Sequence, residues 1–429
     1  GKSVTALSVL GLLDRSARVD GAIRFEGEDL THARSERMDA LRGAAIAMVF
    51  QDPMTSLNPA FSILSQIRDV LKAHRIATPE GVPARAAALL ASVCISDPTR
   101  CLSLYPHELS GGMRQRVMIA LAIACSPRLL IADEPTTALD VTVQAQITAL
   151  LVRLCAERRI GLLFISHNLD LVAEFADRII VMRGGRIVEQ GTAAQVMGSP
   201  SHAYTRQLLD AIPRLGRAEP VRTGPAGGKV VLEADALSKR YPLARSALAR
   251  LFDKSEKQAL AGTRLQVLAG EILGIVGESG SGKTTLARLL VGLESPSSGR
   301  VLVDGREMAP SMRGRRSQAR GDIQLVFQGA HTSLNPRKTI RRALLEAVAP
   351  AGGTHPHPPD RLLGKGNLDP ALLERYPHQL SGGQRQRIGI ARALCARPRV
   401  LIADEPTSAL DVSIQKEIIS LLGALHREH

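Results

Sequence analysis

Residues 277–284 read Gly277-Glu278-Ser279-Gly280-Ser281-Gly282-Lys283-Thr284, a glycine-rich segment that ends in Lys-Thr. The apolar run Ile272 to Val276 precedes it and predicts a strand, and the run Leu286 to Leu293 follows it with helical spacing. Glycines between a strand and a helix let successive backbone N–H groups converge on phosphate oxygens, and the helix N-terminus adds its positive dipole end. The segment therefore predicts a phosphate-binding loop, in which Lys283 contacts the β- and γ-phosphates and Thr284 holds Mg²⁺.

The chain contains one module twice. Leu109-Ser110-Gly111-Gly112 recurs as Leu380-Ser381-Gly382-Gly383, and the copies are 271 residues apart. Gly1-Lys2-Ser3 matches Gly282-Lys283-Thr284 at an offset of 281. A nearly constant offset indicates two copies of one fold, with a fixed core and loops of variable length.

The repeat predicts the domain boundaries. We expect a first domain over 1–212, a linker rich in Pro and Gly over 213–229, and a second domain over 230–429. The first copy begins inside its phosphate loop, and the position equivalent to His167 in the second copy would be 438, beyond residue 429. We therefore expect that each copy is cut at its outer end.

Composition excludes several classes of protein. The 429 residues are 45% hydrophobic and 22% charged, which is typical of a globular protein and not of a disordered one. The longest apolar run, Val117 to Cys125, is too short for a membrane span, and the first residues lack the pattern of a signal peptide. The net charge of +14 is compatible with nucleic acid, a membrane surface or an anionic ligand, whereas 3% aromatic residues disfavour a surface that stacks many bases.

Each copy ends an apolar run with an Asp-Glu pair. Such a run predicts a buried central strand whose carboxyl end brings both carboxylates to one edge of a sheet. The Asp suits Mg²⁺, which uses few carboxylates, and the Glu suits a general base that activates water. The runs are Leu129 to Ala132 and Val400 to Ala403, and the pairs are Asp133-Glu134 and Asp404-Glu405.

Ser110 and Ser381 each precede two glycines and a long helical segment. A serine in this position can cap the helix, and the free amides of the first turn attract an anion. Two adjacent glycines lower helix stability, so a capped helix alone does not explain them. We therefore predict a second anion-binding element in each copy.

Together these motifs resemble the nucleotide-binding domains of ABC transporters. The Leu-Ser-Gly-Gly signature, the phosphate loop, the Asp-Glu pair and Ile165-Ser166-His167 carry the resemblance over nearly the whole chain. Ser56-Leu57-Asn58-Pro59, Tyr-Pro-His at 105–107 and 376–378, and the tail His202 to Leu209 are similar to the oligopeptide, dipeptide and nickel importer branch. The resemblance implies an α/β fold of two tandem P-loop NTPase domains, each with a mainly parallel sheet and a helical subdomain.

The resemblance also implies two ATP sites, each built from the phosphate loop of one copy and the signature of the other. In that family the glutamines that follow Val-Phe sense the γ-phosphate, the histidine holds the attacking water, and an aromatic residue stacks on adenine. The implied residues are, for nucleotide binding, Gly1, Lys2, Ser3, Gln51, Ser110, Gly111, Gly112, Tyr241, Gly277, Glu278, Ser279, Gly280, Ser281, Gly282, Lys283, Thr284, Thr285, Gln328, Ser381, Gly382 and Gly383; for Mg²⁺, Ser3, Gln51, Asp133, Thr284, Gln328 and Asp404; and for catalysis, Glu134, Glu405 and His167.

The implied function is an ATPase that uses ATP and Mg²⁺ to energise import of peptides or similar small solutes. Its implied partners are two transmembrane permease subunits and an extracytoplasmic solute-binding protein, at the cytoplasmic face of the bacterial inner membrane, with no nucleic acid. The alternative is a soluble twin-cassette ATPase that acts on ribosomes or nucleic acid, which the charge of +14 favours and the short linker disfavours. Because both copies are cut, we expect this 429-residue chain to hydrolyse ATP poorly.

Overall fold

A computed structural model describes most of the chain and divides it into two compact units, Gly1–Ile212 and Pro213–His429. Most of the expected linker and Ser279 of the phosphate loop lie outside the described residues. In the part that is described, no helix is long and apolar enough to cross a lipid bilayer. The described residues are 1–14, 16–52, 56–76, 78–136, 139–211, 228–242, 256–278, 280–315, 317–329, 333–348, 361, 363–364, 366, 368–407, 410 and 412–428.

A parallel sheet with the strand order β3–β4–β5 organises the first unit. Ile46 of β3 is paired with Leu129 of β4, which is paired with Gly161 of β5, so the three carboxyl ends lie at one edge. Two antiparallel hairpins, β1–β2 and β6–β7, accompany the sheet. The strands are β1 (Arg24–Phe25), β2 (Glu28–Asp29), β3 (Ile46–Val49), β4 (Leu129–Asp133), β5 (Gly161–Ile165), β6 (Arg178–Arg183) and β7 (Arg186–Thr192).

Helices cover both faces of this sheet. Alternate residues of β4 point to opposite sides: Leu130 belongs to the core cluster that includes residues of α3–α7, and Ile131 to the cluster that includes residues of α1 and α2. Both side chains are fully buried, and each contributes roughly 1.5–3 kcal/mol of hydrophobic stabilisation. The helices are α1 (Lys2–Val9), α2 (Ser35–Leu41), α3 (Ile63–Ala73), α4 (Val82–Ser92), α5 (Pro98–Ser103), α6 (Gly111–Ile123), α7 (Val141–Arg158), α8 (Leu169–Ala173), α9 (Ala193–Gly198) and α10 (Ala203–Ala211), with 3₁₀ turns at Pro79–Gly81 and Pro106–Glu108.

The second unit combines an antiparallel sheet, β11–β10–β8–β9, with the parallel pair β12–β13. The predicted strand at Val400 is confirmed as β13, and the helix after the phosphate loop is confirmed as α11, which begins at Lys283. The elements are β8 (Val230–Pro242), β9 (Glu256–Leu268), α11 (Lys283–Val291), β10 (Ser298–Val303), β11 (Arg306–Glu307), α12 (Ser317–Asp322), β12 (Ile323–Val326), α13 (Ile340–Val348), α14 (Gly382–Leu394), β13 (Val400–Ala403) and α15 (Val412–Glu428), with 3₁₀ turns at Pro370–Glu374 and Pro377–Gln379.

The prediction of a strand over Ile272 to Val276 is wrong. These residues belong to no strand, and Ile272 and Val276 are 72% and 95% exposed. Ala403 of β13 is exposed too, although Ala132, its counterpart in β4, is fully buried. Among the described strands β13 pairs with β12 alone, and no described strand pairs with residues 272–276. A parallel sheet buries a strand only between two neighbouring strands, so these residues and Ala403 stay exposed.

In each unit an arginine binds a carbonyl at the C-terminus of the helix that begins at the phosphate-loop lysine. Arg42 Nε donates a hydrogen bond to the Leu10 carbonyl at 2.8 Å, and Arg315 Nη2 donates one to the Leu290 carbonyl at 3.1 Å. Arg315 is 4% exposed, and burial lowers its pKa. A cation at a helix C-terminus satisfies orphan carbonyls and complements the helix dipole, so it holds the helix in place.

A carboxylate fastens α10 to the β6–β7 hairpin. Glu189 on β7 accepts hydrogen bonds from the backbone N–H groups of Ser201, at 2.7 Å, and His202, at 3.1 Å. The Thr205 hydroxyl and these N–H groups favour the ionised carboxylate and lower the pKa of Glu189 to about 2. The tail after β7 therefore depends on a charged group for its attachment.

We expect Glu189→Gln to loosen α10 at neutral pH, because the amide replaces an acceptor oxygen with a donor. Hydrogen exchange of the α10 amides should rise about tenfold relative to wild type, the size expected for a lost hydrogen bond to a charged group. The pKa lies below its ordinary 4.5, so the stabilisation is complete above pH 4.5 and is lost as the pH falls towards 2. The difference between variant and wild type should therefore disappear over that range. Glu157→Gln, on α7, is the control, and unchanged exchange in Glu189→Gln would contradict this assignment.

Candidate nucleotide-binding site

Glu134 is the centre of a polar cluster in the first unit. The Gln51 amide donates a hydrogen bond to Glu134 Oε2 at 3.0 Å, and His167 Nδ1 lies 3.4 Å from the same oxygen. The Lys2 ammonium lies 3.9 Å from Glu134 Oε1 and donates a hydrogen bond to the Ser166 carbonyl at 2.9 Å. These residues meet because β3, β4 and β5 end side by side, and Gln51, Glu134 and His167 each follow one of the three strands.

Asp133 lies behind this cluster and is 4% exposed. Burial raises its pKa, while the Ser3 hydroxyl bonds the carboxylate and opposes that shift. Its Oδ1 atom is buried and has no hydrogen-bond partner among the described residues. A buried carboxylate oxygen is costly unless a donor or a cation satisfies it, so Ser3 and Asp133 fit Mg²⁺ coordination.

The second unit brings two of the equivalent pairs together but places its lysine differently. The Thr284 hydroxyl donates a hydrogen bond to Asp404 Oδ1 at 3.2 Å, and the Gln328 amide donates one to Glu405 Oε2 at 2.5 Å. The Lys283 ammonium donates to the loop carbonyls of Gly277 and Glu278, at 2.7 and 2.9 Å. The loop thus surrounds the amine that is predicted to bind phosphate.

Gly282 of the phosphate loop tolerates no side chain. It has a φ of 99° at the N-terminus of α11, and an added Cβ would lie 2.6 Å from the Ala259 carbonyl oxygen. The left-handed conformation and the close approach of β9 both require glycine. The turn into α11 therefore depends on the packing of Gly282 against β9.

Both predicted general bases have a strained backbone, which sequence reasoning did not reveal. The φ angles are 46° at Glu134 and 45° at Glu405. A left-handed conformation costs a residue with a side chain about 1–3 kcal/mol. The N–H of Glu134 donates a hydrogen bond to the Ile165 carbonyl at 2.9 Å, which helps to hold the strained geometry. The same strain in both copies turns each glutamate out of its strand just after the buried Asp.

The predicted serine caps are confirmed. Ser110 Oγ accepts a hydrogen bond from the Met113 N–H, and Ser381 Oγ accepts one from the Gln384 N–H, both at 3.3 Å. The adjacent glycines also have a packing role: a Cβ on Gly383 would lie 2.8 Å from Ile414 of α15. The described hydrogen bonds of both serines stay within their own helical turns.

Comparisons with known proteins decide the family. The model of the ABC transporter family matches residues 1–137 and 260–408. The chain belongs to the ABC transporter family. We call its two units the first and second cassettes, and the resemblance inferred from the motifs is confirmed, as are the P-loop NTPase fold class and the ATPase class of enzyme.

Two curated relatives cover the whole of this chain. The peptidoglycan transport ATP-binding protein YejF of Agrobacterium fabrum is 44% identical over 436 residues, which is 79% of that protein. The glutathione import ATP-binding protein GsiA of Escherichia coli K12 is 41% identical over 465 residues, which is 74% of that protein. The similarity therefore extends over both cassettes.

We expect Gly282→Ala to destabilise the second cassette by at least about 2 kcal/mol, because the methyl group adds left-handed strain to a clash with backbone. Chemical denaturation would measure the change, and ATP binding at the Lys283 site should be lost with it. Gly274→Ala is the matched control, since a Cβ there would meet no atom within 4 Å. Equal stability of the two variants would refute the packing argument.

A capping difference between the cassettes gives a reciprocal prediction. Gln384 Oε1 accepts the Ser381 N–H at 3.0 Å and completes a capping box, whereas Met113 in the first cassette has no oxygen for that bond. Met113→Gln should therefore stabilise the first cassette by about 0.3–1.5 kcal/mol, and Gln384→Met should destabilise the second by a similar amount. Thermal unfolding of both variants tests this, and shifts of the same sign would contradict it.

Proposed function

We propose that the chain is the ATP-hydrolysing subunit of an importer for peptides or related small solutes. The observation that carries the proposal is the cluster around Glu134, in which a carboxylate lies beside a lysine, a glutamine amide and an imidazole. The names of the relatives, which concern glutathione import and peptidoglycan transport, support a solute of peptide type, since glutathione is a tripeptide.

The hydrolytic step follows from the positions of these groups. A water oxygen attacks the γ-phosphorus of ATP, the bond to the β–γ bridging oxygen breaks, and Glu134 accepts the proton of the water. The Gln51 amide and the His167 imidazole, both near Glu134 Oε2, orient that water and the γ-phosphate. Lys2 neutralises phosphate charge. In the second cassette Glu405, Gln328 and Lys283 take the corresponding roles.

Mg²⁺ fits both sites, where it would neutralise charge on the β- and γ-phosphates. Ser3 and Asp133 would hold it in the first cassette together with Gln51, and the buried Asp133 oxygen is available for it. In the second cassette Thr284, Asp404 and Gln328 would hold it. A hydroxyl and a carboxylate suit an ion that keeps most of its water and binds phosphate.

The partners that we propose are two transmembrane permease subunits and an extracytoplasmic solute-binding protein. The proposed location is the cytoplasmic face of the bacterial inner membrane, where an importer of this family takes its ATP. Import by the relatives requires a path through the membrane, which supports the permeases more directly than the solute-binding protein. The construction of each ATP site from the phosphate loop of one cassette and the signature of the other stays a prediction.

We expect the double variant Glu134→Gln/Glu405→Gln to lower ATP hydrolysis by at least about 100-fold while ATP binding persists, because neither amide can accept a proton. Phosphate release by the protein assembled with its permeases would measure the rate, and filter binding would measure retained ATP. Glu307→Gln, on β11, is the control. Hydrolysis at the wild-type rate in this double variant would remove the general-base assignment.

The import proposal is tested separately in vesicles that contain the candidate permeases. Labelled di- and tripeptides should accumulate with this protein and ATP, and a non-hydrolysable ATP analogue should stop the accumulation. Failure of the protein to co-purify with any permease, together with no ATP-dependent uptake, would refute the proposal.

A further inference from the structure

The ring that is proposed to stack on adenine is tied to the helix of the phosphate loop. Tyr241 lies near the end of β8, and its hydroxyl donates a hydrogen bond to the Glu294 carboxylate. Glu294 follows α11, the helix that begins at Lys283, and its N–H donates to the Arg288 carbonyl at 3.3 Å. One side chain thus links the strand that carries the ring to the helix that begins at the phosphate loop.

Two cations hold the Glu294 carboxylate. Arg288 Nη1 lies 3.3 Å from Glu294 Oε1, and Lys239 Nζ lies 3.9 Å from Glu294 Oε2. Lys239 is itself fixed by the Ser295 carbonyl at 2.6 Å, and its Nζ lies 5.2 Å from the centre of the Tyr241 ring. Both cations attract the carboxylate, and a carboxylate oxygen is a stronger hydrogen-bond acceptor than a neutral one.

The environment also favours the protonated phenol. Burial, and then the hydrogen bond to Glu294, raise the pKa of Tyr241, while the Thr285 hydroxyl bonds the same group and opposes the shift. Tyr241 therefore keeps its proton at neutral pH and remains the donor. Thr285 lies in the first turn of α11 and Glu294 follows that helix, so both side chains tie Tyr241 to the same segment.

We infer that Glu294 is a positioning residue, which holds the Tyr241 ring at a fixed place relative to the phosphate loop so that adenine meets a pre-ordered surface. The inference rests on the proposed function, because it takes Tyr241 as the surface on which adenine stacks. An untethered tyrosine samples several rotamers, and ATP must then order it at an entropic cost. The tether therefore strengthens binding of the base and leaves the phosphate contacts unchanged.

The test measures the contribution of the adenine base to binding separately from that of the phosphates. Calorimetry measures the binding of ATP and of inorganic tripolyphosphate, each with Mg²⁺, to the whole chain carrying Lys2→Ala, which leaves the Lys283 site. Glu294→Ala and Tyr241→Phe should each weaken ATP about three- to tenfold, the cost of ordering one side chain, without changing tripolyphosphate affinity. Glu294→Gln should keep most of the ATP affinity, because its amide oxygen still accepts the hydrogen bond from Tyr241.

Controls distinguish the tether from the fold and from the proposed function. The double variant Tyr241→Phe/Glu294→Ala should bind ATP no more weakly than either single variant, and Glu307→Ala should bind it like the wild type. The inference would be overturned if Glu294→Ala weakened the binding of ATP and of tripolyphosphate equally, or weakened the binding of neither. If Tyr241→Ala weakens ATP but Glu294→Ala does not, the tether alone fails. If Tyr241→Ala leaves ATP affinity unchanged, the adenine surface of the proposed function fails.

Discussion

The parallel pairing of β3, β4 and β5 is the constraint on which the first cassette depends. Strands that run in the same direction finish at the same edge, so the residues that follow them are brought together whatever their distance in sequence. Gln51 and Glu134 are 83 residues apart and share a hydrogen bond for this reason. Leu130 and Ile131 are buried on opposite faces of the sheet. Their burial fixes the register of β4 against its neighbours, which keeps the three carboxyl ends at one edge.

The two cassettes are an internal comparison of what a neighbouring strand contributes. β4 is paired with a strand on each side, and its residues Ala132 and Asp133 are buried. β13 is paired with one described strand, and its residue Ala403 is exposed. The side chains after the two strands nevertheless keep the same contacts: Gln51 bonds Glu134, and Gln328 bonds Glu405. The strand before the glutamine and the strand before the Asp-Glu pair are therefore sufficient to bring the glutamine and the glutamate into contact.

Charge in this protein is organised by local partners. The net charge of +14 alone does not distinguish a protein that binds a membrane surface from one that binds an anionic ligand. In the structure several lysines and arginines have specific partners. Lys2 lies beside Glu134, Lys283 bonds the Gly277 carbonyl, Arg42 and Arg315 hold helix ends, and Lys239 supports Glu294. The bonds of Arg42 and Arg315 are worth more than a surface charge, because they satisfy helix carbonyls that are partly shielded from water.

The sequence by itself determined the repeat, the family and the two serine caps, because glycine-rich turns and caps are local devices with fixed spacing. It also placed β4, β13 and α11 correctly. The tertiary structure decided the rest. The apolar run at Ile272 looks like a strand, but a strand exists only where another strand takes its hydrogen bonds. The strain at Glu134, the clash that forbids a side chain at Gly282, and the bond between Tyr241 and Glu294 arise between segments distant in the chain, where sequence spacing carries no information about contact.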